Sequence, residues 1–289
     1  MSLRDDAVRV LTAADPDAKV ALTAEAAARW RSGSRTIGTA TPPSQPARPA
    51  KPELLRPGQM PKRSSGPKGR IALVHSLVHI EFNAIDLAWD IIARFGAEDL
   101  PEAFFDDWVD VAAEEAMHFD LLRKRLAQWG VNYGDMPGHN GLWEAAEITA
   151  DDLVARLALI PMTLEARGLD TTVQGAAKLR QNDDAETAGI LGVIYTDEIK
   201  HLAVGVRWFE YLCGQRGIDP VTTYQDVLAA RFTGKPKPPF NLEARAQAGM
   251  KADYIRPWRS WLPAGGSLGC RGDIGDMRHF PNSPVGVTL

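Results

Sequence analysis

The sequence predicts an all-α protein whose centre is a bundle of four long helices. Apolar residues recur at helical spacing from residue 71 onward, with little of the alternation that marks β-strands. Four such stretches are bounded by glycine or by residues that cap helices. The connection between the second and the third, VNYGDMPGHNGLWEAAEI, is roughly twenty residues long, whereas the other two are shorter. These observations indicate two helical hairpins joined by one long crossover.

The composition favours a soluble globular protein. The chain has 289 residues, of which 45% are hydrophobic and 24% are charged. No run of about 18 uncharged apolar residues occurs, so no membrane-spanning helix is predicted. The first residues lack the pattern of a secretory signal, and two distant cysteines, Cys213 and Cys270, do not suggest a disulfide framework. We therefore expect a cytoplasmic protein with no membrane partner.

Residues 1–70 differ from the rest of the chain in charge and composition. The first thirty residues predict one or two short helices, and eight of the twenty prolines follow in residues 31–70. Thirteen basic and six acidic residues give residues 1–70 a charge of +7, so the remainder carries −11 to reach the total of −4. The proline-rich part is either a flexible linker or an extended strap. Its basic residues either bind nucleic acid or an acidic partner, or pack on the acidic body of the same chain.

The four long helices are predicted within residues 71–231. Helical periodicity and end signals place them at about residues 69–95, 102–129, 149–168 and 183–214. Pro161 is expected to kink the third helix. Two hairpins joined by one long crossover are the connectivity of a ferritin-like four-helix bundle, which is the fold that the sequence predicts.

Residues 232–289 are predicted to form a C-terminal extension. The segment is rich in glycine and proline, so regular structure is expected only in a short helix near residues 242–254. Trp258 and Trp261 are large apolar side chains that a disordered tail would leave exposed. We therefore expect an irregular tail docked on the bundle.

Each of the four helices carries a carboxylate on the face that its apolar residues predict to be buried. Two helices add a histidine three residues after the glutamate, a spacing that turns a helix by about 300° and keeps both side chains on one face. A carboxylate rarely lies in a bundle core unless it is paired or binds a metal, because an isolated buried charge is costly. The predicted metal ligands are Glu81, Glu115, His118, Glu165, Glu198 and His201.

The two halves of the bundle repeat this pattern at nearly the same spacing. Glu81 precedes Glu115 by 34 residues, and Glu165 precedes Glu198 by 33. About one acid-x-x-His pair is expected by chance, so the repetition carries more weight than either pair. Four carboxylates balance two divalent cations, and mixed oxygen and nitrogen ligation suits iron first and manganese second. The sequence therefore predicts a site for two metal ions, preferably iron.

An acidic residue directly precedes each Glu-x-x-His pair. A metal-bound histidine usually donates its second N–H to a carboxylate. Glu114 is therefore predicted to support His201, and Asp197 is predicted to support His118. The alternative is that both acids lie on the exposed flanks of their helices.

Tyr195 lies one helical turn before a predicted ligand, on or beside the same face. Its hydroxyl either hydrogen-bonds a ligand or serves in electron transfer, or Tyr195 is a core tyrosine with a satisfied hydroxyl. His75 and His79 point roughly 200–240° away from Glu81 around the first helix, so they are not expected to bind the same metals. Beyond the metal centre itself, Tyr195 is thus the one candidate for a catalytic residue.

Five segments around the predicted ligands carry a recognisable pattern: HIEFNAIDLAWD (79–90), EEAMHFDLLRKRL (114–126), YGDMPGHNGLWEAAE (133–147), LEARGLD (164–170) and DEIKHLAVGVRWFEYLC (197–213). They resemble a bacterial ferritin-like family known as domain of unknown function 455, over nearly the whole chain and without departure at the six ligand positions. The resemblance implies a fold and a metal site and leaves the reaction open. More distantly, the layout is similar to di-iron monooxygenases and to a di-iron hydroxylase of a modified tRNA base, which implies oxygen activation at two Fe(II) ions.

Three functions are compatible with the predicted site. The first is a di-iron oxidoreductase, such as a hydroxylase or oxidase, acting on oxygen and an unknown substrate with an external electron donor. The second is an iron-handling ferroxidase or storage protein, although long extensions argue against a closed shell of subunits. The third is a metal-stabilised binding bundle whose basic arm recruits RNA or another partner. The sequence is also compatible with a homodimer.

Overall fold

The protein is all-helical in the computed structural model, which describes residues 1–33, 36–60 and 66–256. Within those ranges there is no strand, and one isolated parallel bridge joins Leu54 to Gly138. The expected docking of Trp258 and Trp261 lies outside the described residues. The α-helices are α1 Leu3–Leu11, α2 Pro16–Arg31, α3 Pro67–Phe95, α4 Glu102–Gln128, α5 Gly141–Glu147, α6 Leu153–Leu159, α7 Ala166–Gln181, α8 Ala185–Arg216, α9 Pro220–Arg231 and α10 Leu242–Gln247.

Two pairs of long helices form the centre of the protein. Helix α3 packs along α4, and α7 packs along α8, while α4 also contacts α8 and so joins the two pairs. The facing sides contribute fully buried apolar residues to one continuous core. The bounds of α3, α4 and α8 agree with the predicted helices to within about two residues.

The third predicted helix is longer and less regular than the sequence suggests. Helical structure runs from residue 153, after the N-cap Asp152, to residue 181, so the predicted start at residue 149 is four residues early and the predicted end at residue 168 is wrong. Gly168 lies inside α7 in open space, and the burial of Leu169, Ala176 and Leu179 beyond it holds the helix together. Between α6 and α7 the chain forms a π-helical segment, Ile160–Glu165. Proline removes a backbone donor from the regular pattern, which explains why the irregularity lies at Pro161.

Gly205 allows α8 to pack directly on the π-helical segment. A Cβ atom at Gly205 would lie 2.6 Å from Cβ of Pro161. We expect Gly205→Ala to lower the free energy of unfolding by about 1–3 kcal/mol, because the two elements would have to move apart. Gly192 lies in the same helix with no atom within 4 Å, so Gly192→Ala is the control and should stabilise by up to about 1 kcal/mol. Urea denaturation measures both, and equal effects would contradict the packing argument.

Three further short helices, α5, α9 and α10, lie between or after the central helices. Helix α5 lies in the long crossover and α9 follows α8, and neither was predicted from the sequence. Helix α10 begins at the predicted residue but ends at Gln247, seven residues early, because Gly249 adopts a left-handed backbone conformation with φ of 81°.

The N-terminal region packs on the central helices. Helix α1 contacts α3, α2 contacts α4, and both bury apolar residues in the same core. Residues 36–60 run along this surface as an extended strap: the amide of Ala47 donates to the carbonyl of Leu11, and the amide of Leu55 donates to that of Gly138. The strap residue Arg48 lies 3.2 Å from Asp86 on α3. These contacts favour the interpretation that the basic arm packs on its own acidic body.

Helix α3 carries two buried ion pairs that link it to distant parts of the chain. Asp86 pairs with Lys19 of α2, and Asp90 accepts a hydrogen bond of 2.6 Å from Arg156 of α6; all four side chains are fully buried. By length and composition α3 could cross a membrane, yet 67% of its most apolar window is buried inside the protein. This is the environment of a core helix.

Candidate metal centre

Six carboxylate and imidazole side chains converge where the two helix pairs meet. Each comes from a position where the helix faces inward, so the apolar periodicity that builds the core also aims these side chains at one another. Four of them present donor atoms that all lie within 4.8 Å of one another: Glu81, Glu115, His118 and Glu198. Glu165, at the end of the π-helical segment, lines the same small cavity as the other three glutamates.

Glu115 lies between the two histidines. The distance from its Oε2 to His118 Nδ1 is 3.6 Å, and that from its Oε1 to His201 Nδ1 is 2.9 Å. Glu81 Oε2 is 3.4 Å from His118 Nδ1, and Glu198 Oε2 is 3.9 Å from His201 Nδ1. Each histidine therefore faces one carboxylate of its own and shares Glu115 with the other.

The outer nitrogen of each histidine is held by a carboxylate of the other helix. His118 Nε2 lies 3.1 Å from Asp197 Oδ2, and His201 Nε2 lies 2.8 Å from Glu114 Oε2. These are the crosswise pairs that the sequence predicts. When Nε2 carries the proton and donates it to the carboxylate, the lone pair of Nδ1 points into the cluster. This is the tautomer that binds a metal ion through Nδ1.

Several of the inward donor atoms are buried without any hydrogen-bond partner. They are Glu81 Oε2, both oxygens of Glu115, Glu165 Oε2, and Nδ1 of His118 and His201. Glu115 Oε1 and His201 Nδ1 are close, but their alignment is not that of a hydrogen bond. Each unsatisfied buried polar atom lowers the stability of the fold by about 1–3 kcal/mol. Six such atoms in one cluster are therefore unfavourable unless another group satisfies them. The residues present thus fit a cationic ligand.

The electrostatics of the cluster also favour added positive charge. Burial raises the pKa of Glu81 and of Glu165 to about 8, and it raises the pKa of Glu198 well above its usual range. Burial would also raise the pKa of Glu115, but His201 and His118 hold it below its ordinary value. Crowded carboxylates away from water bind protons unless a cation takes their place. The cluster could therefore hold a metal ion in place of those protons.

Lys200 joins the two outer carboxylates at the surface. Its ammonium donates to Glu114 Oε1 at 3.1 Å and to Asp197 Oδ1 at 2.6 Å, although the side chain is half exposed. It therefore orients both residues that hold the histidines. This role was not predicted from the sequence; its only signal there is the spacing of three residues from Asp197, which places both side chains on one face of α8.

We expect Lys200→Met to weaken metal binding about tenfold, the lower end of the effect for residues that orient metal ligands. The physical reason is that Glu114 and Asp197 lose their common partner and no longer hold the histidines in one orientation. Lys251→Met is the matched control, because Lys251 is exposed and pairs with Glu210, away from the cluster. Competition with a chelating dye measures the affinity, and equal values for the two variants would show that Lys200 has no orienting role.

Tyr195, His75 and His79 have partners outside the carboxylate cluster. The hydroxyl of Tyr195 accepts a hydrogen bond of 2.9 Å from Asn241 Nδ2, which supports the interpretation of a tyrosine with a satisfied hydroxyl. His75 Nε2 accepts from the amide of Gly134, and His79 contacts the hydroxyl of Tyr133. The two histidines thus attach the crossover to α3.

Comparison with known proteins identifies relatives whose functions are not described. A family model described as "Protein of unknown function (DUF455)" matches residues 12–256. A protein of Haemophilus influenzae, named only as an uncharacterized protein, is 43% identical over 208 residues, which are 70% of this chain and 72% of the relative. No solved structure matches the chain.

Proposed function

The chain belongs to the DUF455 family, and we propose that it is a ferritin-like dimetal carboxylate protein that uses two bound irons to activate oxygen. The observation that supports this most strongly is the set of six buried, unpartnered donor atoms in one cluster between four helical segments. The opposite side of each histidine is already held by a carboxylate, as is usual for histidines that bind metals.

The arrangement of the helices supports the ferritin-like assignment. One pair, α3 and α4, supplies Glu81 and then the pair Glu115 and His118. The other pair repeats the order, with a glutamate before α7 and a Glu-x-x-His on α8. Ferritin-like di-iron and di-manganese proteins use this ligand set: one glutamate from each of two helices and one Glu-x-x-His motif from each of the other two.

The donor set divides between two metal ions. Glu81 and His118 would hold the first and Glu165 and His201 the second, while Glu115 and Glu198 have oxygens near both histidines. Oxygen and nitrogen donors without thiolates favour iron, with manganese as the alternative. Bound iron would supply the electron-transfer chemistry that oxygen activation requires.

The protein surrounds this site with apolar side chains. A cavity of about 60 Å³ borders the four glutamates and is otherwise lined mainly by aliphatic residues. The aliphatic residues are Leu77, Ile80, Ala84, Leu142, Leu164, Leu191 and Ile194. A cavity of this size holds about two water molecules, or a molecule as small as oxygen. These residues keep bulk water away from the carboxylates and leave room for a small apolar reactant.

The test is anaerobic titration with Fe(II), followed by rapid mixing with oxygen under stopped-flow absorbance. We expect tight binding of two Fe(II) per chain and an oxygen-dependent absorbance change that saturates at the same ratio. Tight binding of two metals without any reaction with oxygen would contradict the proposed oxidoreductase. Continued growth of ferric mineral beyond two irons per chain would instead support the iron-handling alternative.

A further inference from the structure

Helices α3 and α7 border a groove that runs from the surface toward the carboxylate cluster. Its outer part has a volume of about 580 Å³ and lies between the first turns of α3, including Arg70 and Leu73, and the last turns of α7, including Lys178. The inner part is the cavity of about 60 Å³ beside the glutamates. Both parts are thus bounded by the same two helices.

The lining residues place the outer and the inner part next to each other along both helices. On α3 they are Leu73 in the outer part and then Leu77 and Ile80 in the inner part, at the spacing of one helix face. On α7, Thr171 lines the outer part and the adjacent Thr172 lines the inner part. All three aliphatic side chains on α3 are only partly buried, which leaves an apolar stripe open along the channel.

The outer part of the channel is basic, although the body of the protein is acidic. Among the described residues that line it, none is an aspartate or a glutamate. Lys178 is exposed there, and Arg70 also lines it, with its guanidinium 3.4 Å from Asp184, 3.5 Å from the carbonyl of Asn182 and over the ring of Trp129. A channel with cations at its mouth and aliphatic side chains further in complements a molecule with an anionic head and an apolar chain.

We propose that the outer and the inner part form one channel, that this channel binds the substrate of the metal centre, and that the substrate is an amphipathic anion. The anionic head contacts Lys178 and Arg70, and the apolar chain lies on Leu73, Leu77 and Ile80 with its end beside the glutamates. Lys178 follows Glu165 by thirteen positions, so the head and the cluster are about 20 Å apart along the helix. The assignment as substrate depends on the proposed oxygen chemistry, whereas binding of the anion does not.

The first experiment measures the binding of defined probes to the full chain by calorimetry, with and without two bound metals. The probes are dodecanoate, dodecyl phosphate and 1-dodecanol, each below its solubility limit. We expect both anions to bind at least tenfold more tightly than the alcohol. The ratio of the two anions distinguishes a carboxylate from a phosphate head. Equal affinity for the alcohol would overturn the assignment of an anionic ligand.

Two pairs of variants locate the binding site. Lys178→Glu is expected to weaken dodecanoate binding at least tenfold, whereas Arg180→Glu, an equal charge change on another face of α7, should leave it unchanged. Thr172→Trp should block the inner channel, whereas Val173→Trp, at a neighbouring exposed position, should not. Equal effects within either pair would overturn the proposed channel.

Measurements of iron binding and of the reaction with oxygen distinguish a wrong channel from a wrong proposed function. All four variants should still bind two Fe(II) per chain, because none alters a ligand. If dodecanoate binds as expected but the protein does not react with oxygen, the channel stands and the oxygen chemistry is wrong. If the protein reacts with oxygen but no variant alters dodecanoate binding, the channel is wrong.

Discussion

Glu165→Ala is expected to abolish the binding of two irons while leaving the helices intact. Glu165 is the one predicted ligand in the π-helical segment, and its Oε2 is buried without a partner. Its removal leaves one predicted metal position with the imidazole of His201 and only the carboxylates, Glu115 and Glu198, that also lie near the other position. We expect no more than one Fe(II) per chain at concentrations that saturate the native protein, with an unchanged far-ultraviolet circular dichroism spectrum.

A second result is expected for Glu165→Ala, and it concerns stability. A purely structural role of Glu165 would not produce it. Burial raises the pKa of Glu165 to about 8, so the carboxylate is unfavourably placed when no cation is near. The metal-free variant should therefore be at least as stable as the metal-free native protein. Glu144→Ala, at an exposed position of α5, is the control and should retain two irons. Native affinity for two irons in Glu165→Ala would show that the ligand set is wrong.

Asp90→Ala is expected to lower the free energy of unfolding by about 3–5 kcal/mol, because it leaves a buried guanidinium without its counter-ion. Arg156 is fully buried and donates to Asp90 Oδ2, to the hydroxyl of Thr149 and to the carbonyl of Ala146. Arg94 also donates to Asp90. The change in the denaturation midpoint of the metal-free protein measures the effect.

An exposed ion pair provides the matched control. Arg31 and Asp110 also join two helices that are far apart in the sequence, α2 and α4, but their side chains are 54% and 60% exposed. Water screens such a pair, so Asp110→Ala should change the free energy of unfolding by less than about 1 kcal/mol. If Asp90→Ala does not fold, the double variant Asp90→Leu with Arg156→Met removes both charges and should recover most of the stability. Equal midpoints for Asp90→Ala and Asp110→Ala would contradict the role assigned to burial.

The parts of the fold that local pattern controls could be predicted from the sequence. The bounds of α3, α4 and α8 follow from helical periodicity and from glycine or capping residues at their ends, which are properties of neighbouring residues. The crosswise contacts of Glu114 with His201 and of Asp197 with His118 also follow from pattern, because two similar hairpins facing each other place equivalent positions opposite one another.

Other features depend on residues that are far apart in the sequence. Helix α7 passes Gly168, which local rules treat as an end signal, because residues beyond it pack on α8. Neither α5 nor α9 has a periodic pattern long enough to be distinguished from a loop. Lys19 and Asp86 are 67 residues apart, and neither position alone indicates a buried ion pair.

The sequence by itself therefore determined the helical class, the bounds of three long helices and the carboxylate and histidine residues that face inward. Helical spacing fixes the side of a helix on which each residue lies, and that is sufficient for these features. Only the tertiary structure decided that Lys200 joins the two outer carboxylates, that Tyr195 bonds Asn241 and that the strap lies on α3. Those contacts depend on distances between separate elements, which are set by the packing of the whole core and not by the order of neighbouring residues.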